Sequence, residues 1–383
     1  MRCVTPMVRI YQKLSFDEKQ AIKNAGEKQF NRIIPRHEVN EKLQHNENYF
    51  TWIQRKNEEL EKQNSRMRYG LIPCKKCWAC RLNYSAEWAV RIMHECSKTP
   101  DKNYFVTLTY DNEHVPTLDY IKYKDKDGNE KINFNNGCFR YSLVPEDAHR
   151  FINSLRKYLE RHYDHKGLKY YYCGEYGGQT QRPHYHMILM NCPLDPAAFY
   201  DLHTDENGKD HWKQFEIERQ WKKGMIDVAL VEFADAAYVA RYGTKLFLNG
   251  GTEEDYAKLG MVREFTRCSR NPAVGLDYVR NNEYDLLLTD EIIMKNSSEK
   301  AVHVPLPQYY QRKLEESYPE YIDQLKEKRQ LLANNASKIK RTQTNLTDKE
   351  IYTREAQELA RRGALLKREN LDRDWNERIY TGK

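Results

Sequence analysis

The chain has 383 residues, enough for one large or two ordinary domains around a sizeable core. Its 63 basic residues stand against 56 acidic ones, and the net charge of +7 permits a polyanionic partner without demanding one. No apolar run approaches the roughly 20 residues that span a bilayer or resembles a signal peptide, and an odd count of nine cysteines speaks against a secreted disulfide framework, so a soluble protein of a reducing compartment is expected.

Residues 1–70 read as polar and patternless, with a charged stretch near Asn57–Arg66 expected to form a solvated helix. The run Cys74-Lys75-Lys76-Cys77-Trp78-Ala79-Cys80 follows, then a helix over Arg81–Glu95 with Trp88, Ile92 and Met93 on its apolar side. Tyr104–Tyr110 alternates β-branched and aromatic residues as a strand does, and Asp127-Gly128 is a turn signal. A helix starts at Val144-Pro145-Glu146-Asp147, with proline and carboxylates where a first turn favours them. Its apolar positions Ala148, Phe151, Ile152, Leu155, Tyr158 and Leu159 keep the helical period.

Next come a strand over Lys169–Tyr176, a glycine turn at Gly177-Gly178 and an apolar strand, Pro183–Met190, that carries two histidines. A loop with Asn207-Gly208, a strand near Met225–Val231 and a helix through Tyr238-Val239-Ala240-Arg241-Tyr242-Gly243-Thr244-Lys245 complete the core. This order predicts an α+β fold, a sheet with helices on one face. Beyond about residue 315 the chain is charge-rich and helix-prone over Tyr321–Leu332 and Asp348–Asn370. The expected division is an N-terminal arm with the cysteine cluster (1–97), a central core (98–315) and a charged helical tail (316–383).

Three constellations carry chemistry. His184 and His186 stand at i, i+2, so one strand face presents both imidazoles, half of a divalent-metal site. A hard cation such as Mg²⁺ or Mn²⁺ wants a carboxylate as well, and the hairpin would bring Glu175 opposite the histidine strand; Asp111 and Glu113 are the alternatives. On the downstream helix Tyr238, Tyr242 and Lys245 fall at i, i+4 and i+7, on one face. A phenol is a poor nucleophile at neutral pH, but a cation on a scissile phosphate would stabilise the developing charge, and Lys245 could hold the phosphate or the phenolate. The pattern points to metal-assisted cleavage of a nucleic-acid strand by tyrosine.

The cysteine run is the third constellation. Cys74, Cys77 and Cys80 at C-x₂-C-x₂-C spacing can wrap one ion, with Cys3 as the fourth ligand of a structural Zn²⁺ and Cys96 and His94 behind it. An iron–sulfur site or reduced, packed thiols are the alternatives. Cys138, Cys173, Cys192 and Cys268 show no ligand spacing and are expected to pack. There is no GxxxxGK[ST] phosphate loop, so no ATP-driven motor is encoded.

In this order the motifs resemble those of HUH endonucleases, and more narrowly the replication initiation proteins of gokushovirus-type microviruses. The resemblance rests on Cys3 near Pro6, the CxxCxxCR cluster with Glu87-Trp88-Ala89 and His94-Glu95, and Phe105–Tyr110. It continues through Gly174–His186, Trp221-Lys222-Lys223-Gly224, Ala236–Lys245, Phe265–Pro272 and Pro305–Tyr310.

The resemblance implies an HUH-like antiparallel sheet with helices packed on it. It implies site-specific nicking of origin DNA through a 5′-phosphotyrosine, then strand transfer and rejoining in rolling-circle replication. Tyr238 and Tyr242 become the nucleophiles, His184 and His186 the metal ligands, and Glu175 the acidic ligand. Single-stranded DNA, the phage origin and a host helicase and polymerase become the partners, and the host cytoplasm the location. The chain departs from the family in two places: Tyr185 stands between the histidines, and Asn271-Pro272-Ala273-Val274-Gly275 replaces a Pro-Gly-Ile-Gly wording. A related HUH transposase or relaxase, or a non-catalytic zinc-dependent nucleic-acid binder, would share parts of this pattern.

Overall fold

The computed structural model describes residues 7–44, 49–75, 78–118, 120–124, 130–134, 140–177, 181–206, 208–245, 256–257, 259–295 and 301–344, with isolated positions after these. The chain divides into two compact units, residues 1–83 with 282–383 and residues 84–281. No helix among the described residues is long and apolar enough to cross a membrane.

The first unit opens with β1 (Met7–Gln12), α1 (Phe16–Asn24), β2 (Asn31–Ile34), α2 (Arg36–Asn40), α3 (Tyr49–Lys62) and β3 (Met67–Ile72). The strands form an antiparallel sheet in the order β2-β1-β3. This corrects the reading of residues 1–70 as patternless. Val8, Val39, Trp52 and Ile53 build a small core, and Tyr69 meets Trp52 edge-on at 5.1 Å. Each element contributes only one or two of these residues, too few to show as a period. The helix expected near Asn57–Arg66 begins at Tyr49, and its first turns are buried rather than solvated.

The chain enters the second unit along α4 (Trp78–Cys96) and continues through β4 (Tyr104–Thr109). Short antiparallel pairs follow, β5 (Thr117–Leu118) with β8 (Arg140–Tyr141) and β6 (Tyr120–Lys124) with β7 (Glu130–Phe134). The turn expected at Asp127-Gly128 and Cys138 lie outside the described residues. Then come α5 (Pro145–Tyr163), β9 (Lys169–Tyr176), β10 (Pro183–Met190), β11 (Phe199–Thr204), β12 (Asp210–Gln214), α6 (Phe215–Trp221), β13 (Ile226–Leu230), α7 (Phe233–Lys245), β14 (Phe265–Cys268) and α8 (Leu276–Asn281). Seven strands make one antiparallel sheet in the order β11-β12-β13-β4-β10-β9-β14. The segment around Asn207-Gly208, expected as a loop, is the turn of the β11–β12 hairpin.

Helices cover both faces of this sheet, not one. One face packs Val106, Leu108, Tyr185, Met187 and Leu189 against α5 and α6, through Phe151, Ile152, Leu155, Ile217 and Trp221. The other packs Phe105, Cys173, Ile188 and Met190 against α4 and α7, through Ala89, Ile92, Ala237 and Ala240. The physical reason lies in β4 and β10, which are apolar on alternate and intervening positions alike, so each face needs a cover. Cys173 and Cys192 pack in these layers as expected, and burial pushes the Cys96 thiol up to about 12.

Two of the family motifs turn out to be structural. Trp221 sits among Tyr110, Tyr185 and Phe151 and donates its indole N–H to the carbonyl of Thr109 at 3.1 Å. Gly224 has φ +144°, and a Cβ there would lie 2.3 Å from backbone atoms of Thr109 and Asp111, so only glycine lets this turn dock on the end of β4. The Asn271–Gly275 segment is held by α4: the Arg91 guanidinium donates to the Val274 carbonyl at 3.0 and 3.2 Å, and Glu95 accepts from Gly275 N–H at 2.7 Å.

The remaining elements, α9 (Glu283–Thr289), β15 (Glu291–Lys295), β16 (Ala301–Pro305), α10 (Gln308–Ser317) and α11 (Pro319–Thr344), belong to the first unit. Tyr310, Leu314, Ile322 and Leu325 are buried on α10 and α11. The expected helix over Tyr321–Leu332 lies within α11, and most of Asp348–Asn370 is outside the described residues.

Candidate functional site

The β9–β10 ladder places the three expected ligands. His184 pairs with Glu175 and His186 with Cys173, and directly opposed residues share a face. Glu175 Oε1 lies 2.8 Å from His184 Nε2 and 2.9 Å from His186 Nε2. The two rings stand 4.9 Å apart, nearly perpendicular, so both Nε2 atoms converge on one oxygen.

Each imidazole is oriented from behind. His184 Nδ1 faces the carbonyl of Arg182 at 3.1 Å, and His186 Nδ1 faces Thr107 Oγ1 on β4 at 3.0 Å. His184 therefore has an acceptor at each nitrogen, and a neutral imidazole can donate to only one of them. The arrangement calls for a positive charge, either a proton on both nitrogens or a cation between Nε2 and the carboxylate. Outward Nδ1–H groups held by oxygens, with Nε2 lone pairs converging on a carboxylate, make up the donor set of a divalent-metal site. Glu175, His184 and His186 offer ligand atoms all within 4.8 Å of one another. Burial raises the Glu175 carboxyl, but the two imidazoles outweigh it and hold the group below the usual carboxylate range. It stays an anion.

The alternative carboxylates are not brought in. Asp111 caps its own turn, accepting from Glu113 N–H at 3.0 Å and His114 N–H at 2.8 Å and facing His114 Nδ1 at 2.8 Å.

Helix α7 packs on β9, β10 and β14 and sets Tyr238 over the histidine strand. The Tyr238 ring lies 5.4 Å from the His186 ring, edge-on, and 6.4 Å from Phe105, which stacks on His186 at 5.6 Å. Tyr242 and Lys245 follow on the same helix, one and two turns on, and their side chains lie outside the described residues. Thr107 is the residue the sequence reading missed. Its signal was present, since a hydroxyl in the apolar run Tyr104–Thr109 needs a partner, but only the β4–β10 register names His186 as that partner.

The cysteine constellation is described in part. Cys74 and Cys80 bring their Sγ atoms to 4.0 Å, and Cys3 and Cys77 lie outside the described residues. The reserve ligands serve elsewhere: Cys96 is core, and His94 stacks on Tyr278 with ring centroids 3.5 Å apart.

A family model described as replication-associated protein, of the ORF2 kind, matches residues 103–247, the segment from the start of β4 to the end of α7. The chain is 35% identical over 265 residues to the replication-associated protein ORF2 of Spiroplasma virus 4, covering 68% of this chain and 74% of that protein. It is 30% identical over 253 residues to replication-associated protein VP4 of Bdellovibrio phage phiMH2K, covering 65% and 69%. Against replication-associated protein ORF4 of Chlamydia phage 1 the identity is 29% over 231 residues, covering 58% and 49%. No solved structure matches the chain. With the converging ligands and the tyrosine helix inside the matched segment, the chain belongs to the phage replication-associated proteins, the initiators of microvirus type.

Proposed function

We propose that the protein nicks single-stranded origin DNA by tyrosine attack at a divalent-metal centre and later rejoins the strand. The observation that carries this reading is the convergence of His184 and His186 Nε2 on one Glu175 oxygen, with the Tyr238 ring 5.4 Å from the His186 ring. Glu175, His184 and His186 would hold the ion. A bound Mg²⁺ or Mn²⁺ would supply polarisation of the scissile phosphate and stabilisation of its transition-state charge.

The phenol oxygen of Tyr238 or Tyr242 attacks phosphorus, and the bond to the 3′ oxygen breaks. The phenol proton ends on that oxygen, leaving a 3′-OH for a polymerase and a 5′-phosphotyrosine on the protein. The phosphodiester energy is kept in the covalent link, so a later 3′-OH attack reverses the step and closes the strand. Two tyrosines on one helix allow two transfers without release of the DNA, and Lys245 balances the phosphate or phenolate charge. The partners of this reading are origin DNA and a host helicase and polymerase in the bacterial cytoplasm. A separate Zn²⁺ held by Cys3, Cys74, Cys77 and Cys80 would be structural: two thiolates on one tetrahedral Zn²⁺ lie roughly 3.8 Å apart, close to the 4.0 Å between Cys74 and Cys80.

The test incubates the protein with Mn²⁺ and end-labelled single-stranded origin DNA on a denaturing gel. The expected result is an adduct that migrates with the protein, is lost on chelation and is lost in the Tyr238→Phe, Tyr242→Phe double variant. An adduct that persists in the double variant overturns the tyrosine assignment. DNA binding without any adduct favours the non-catalytic binder.

A further inference from the structure

A second histidine–carboxylate cluster lies in the same sheet, and the reading above does not use it. His203 on β11 pairs directly with His211 on β12, and their rings stack at 5.4 Å. His211 in turn pairs with Ala229 on β13, which puts Asp227 in the diagonal position on the same face. His211 Nδ1 lies 2.7 Å from Asp227 Oδ2, and His203 Nε2 lies 3.6 Å from Asp227 Oδ1. The three residues offer ligand atoms within 4.8 Å of one another.

Two further observations set this apart from a chance surface grouping. His211 is only 7% exposed, and among the described residues its buried Nε2 has no hydrogen-bond partner. That nitrogen is 3.7 Å from Asp205 Oδ2, too long for a hydrogen bond but aimed at a carboxylate. A neutral histidine gains nothing from this placement, since an orphaned buried ring nitrogen costs stability. A metal-bound histidine does gain: ligation through one nitrogen, with the other N–H turned to a carboxylate, is the common outer arrangement of such sites. The ladder is also irregular where it needs to be, because the β11–β12 register shifts between Tyr200 and His203, and a bulge re-aims the side chain that follows it.

We propose that His203, His211 and Asp227 form a second metal site, taking a transition ion of the Zn²⁺ class, with Asp205 holding the outer nitrogen of His211. Two imidazoles and one carboxylate suit Zn²⁺ or its neighbours rather than Mg²⁺ or Ca²⁺, which prefer all-oxygen shells. The site is separate from the Glu175 centre. Asp227 pairs with Thr107 and Thr107 with His186, so two strand spacings, roughly 10 Å, divide the clusters. Ions that act jointly on one phosphate sit about 3.5–4 Å apart. The second ion is therefore a staple that fixes the β11–β12 hairpin to β13.

The test is Zn²⁺ stoichiometry of the full chain, by equilibrium dialysis and metal analysis, for wild type, His203→Gln and Asp227→Asn. His203 has a side chain 60% exposed, so its replacement leaves the core intact and decides the matter even if the Asp227 variant fails to fold. The expected result is one equivalent fewer in each variant, with a smaller Zn²⁺-induced rise in Tm. Ions on the cysteines or on the Glu175 centre are common to all three proteins and cancel. Equal stoichiometry in wild type and His203→Gln overturns the proposal and leaves His211 as an imidazolium between two carboxylates.

Discussion

The two faces of β10 carry polar groups of opposite fate. On the α5 side, Tyr185 is wholly buried and its hydroxyl is used up inside the protein: it donates to the Val144 carbonyl at 2.7 Å, accepts from Val144 N–H at 3.1 Å and lies 3.0 Å from the Tyr110 hydroxyl. Tyr110 passes its own proton to Asp147 at 2.8 Å, and burial raises both phenols well above their ordinary range. On the α7 side, one carboxylate oxygen stands before two imidazole nitrogens whose other sides are already engaged. The first network closes on itself. The second is completed by a cation. One strand thus anchors itself with the residue between the two histidines and works with the histidines.

The strongest test of this contrast removes charge from the open side. Glu175→Gln keeps the side-chain shape, and metal-dependent cleavage should fall about a thousandfold, the several kcal/mol a metal supplies, with little change in Tm. Near-normal turnover would break the contrast.

A second test uses pH and the helix layer over the site face. Burial lowers His94 to about 4, so between 6.5 and about 4 the unfolded chain binds a proton that the native chain refuses. The His94-dependent stability is full above pH 6.5 and lost as pH falls, by about 3 kcal/mol at pH 4. His94→Phe retains a ring against Tyr278. Denaturant melts of the two proteins should therefore diverge on acidification, wild type losing more, and a difference independent of pH would refute the assignment.

The smallest effect is expected on the closed side. Tyr185→Phe leaves Val144 N–H and carbonyl without their partner and should cost about 1–3 kcal/mol by denaturant melts, with dependence on Mn²⁺ unchanged. A shift in metal affinity instead would mean that the faces are not independent.

The elements that sequence alone could place are those with a sustained period or run. Helix α5 shows its buried face at Ala148, Phe151, Ile152, Leu155 and Leu159, and β9 spans Lys169–Tyr176 as read. Glu175 was legible because the hairpin is short and pairing across it follows from the turn. Residues whose role depends on strands distant in sequence were not. Thr107 meets His186 across 79 positions, and Asp227 meets His211 only through the order β12-β13. The Asn207-Gly208 turn did signal that 203 and 211 would face each other, but taking the segment as a loop hid the pair. The N-terminal sheet was missed for another reason, because Trp52 and Ile53 do in one helix what a longer pattern does elsewhere.

The β9–β10 ladder, with Tyr176 opposite Pro183 through Lys169 opposite Met190, also acts as a reading frame for the ligands. Its unit is parity. Deleting one residue between Lys169 and Glu175 would either move the carboxylate to the Tyr185 side or break the ladder, because a one-residue slip exchanges faces. Deleting two would keep the face but carry the carboxylate roughly 7 Å along the strand, out of reach of both rings. Changes of length in the turn between Gly177 and Arg182 leave the frame untouched. Length variation at this hairpin is therefore expected to collect in the turn, while the strands hold their count.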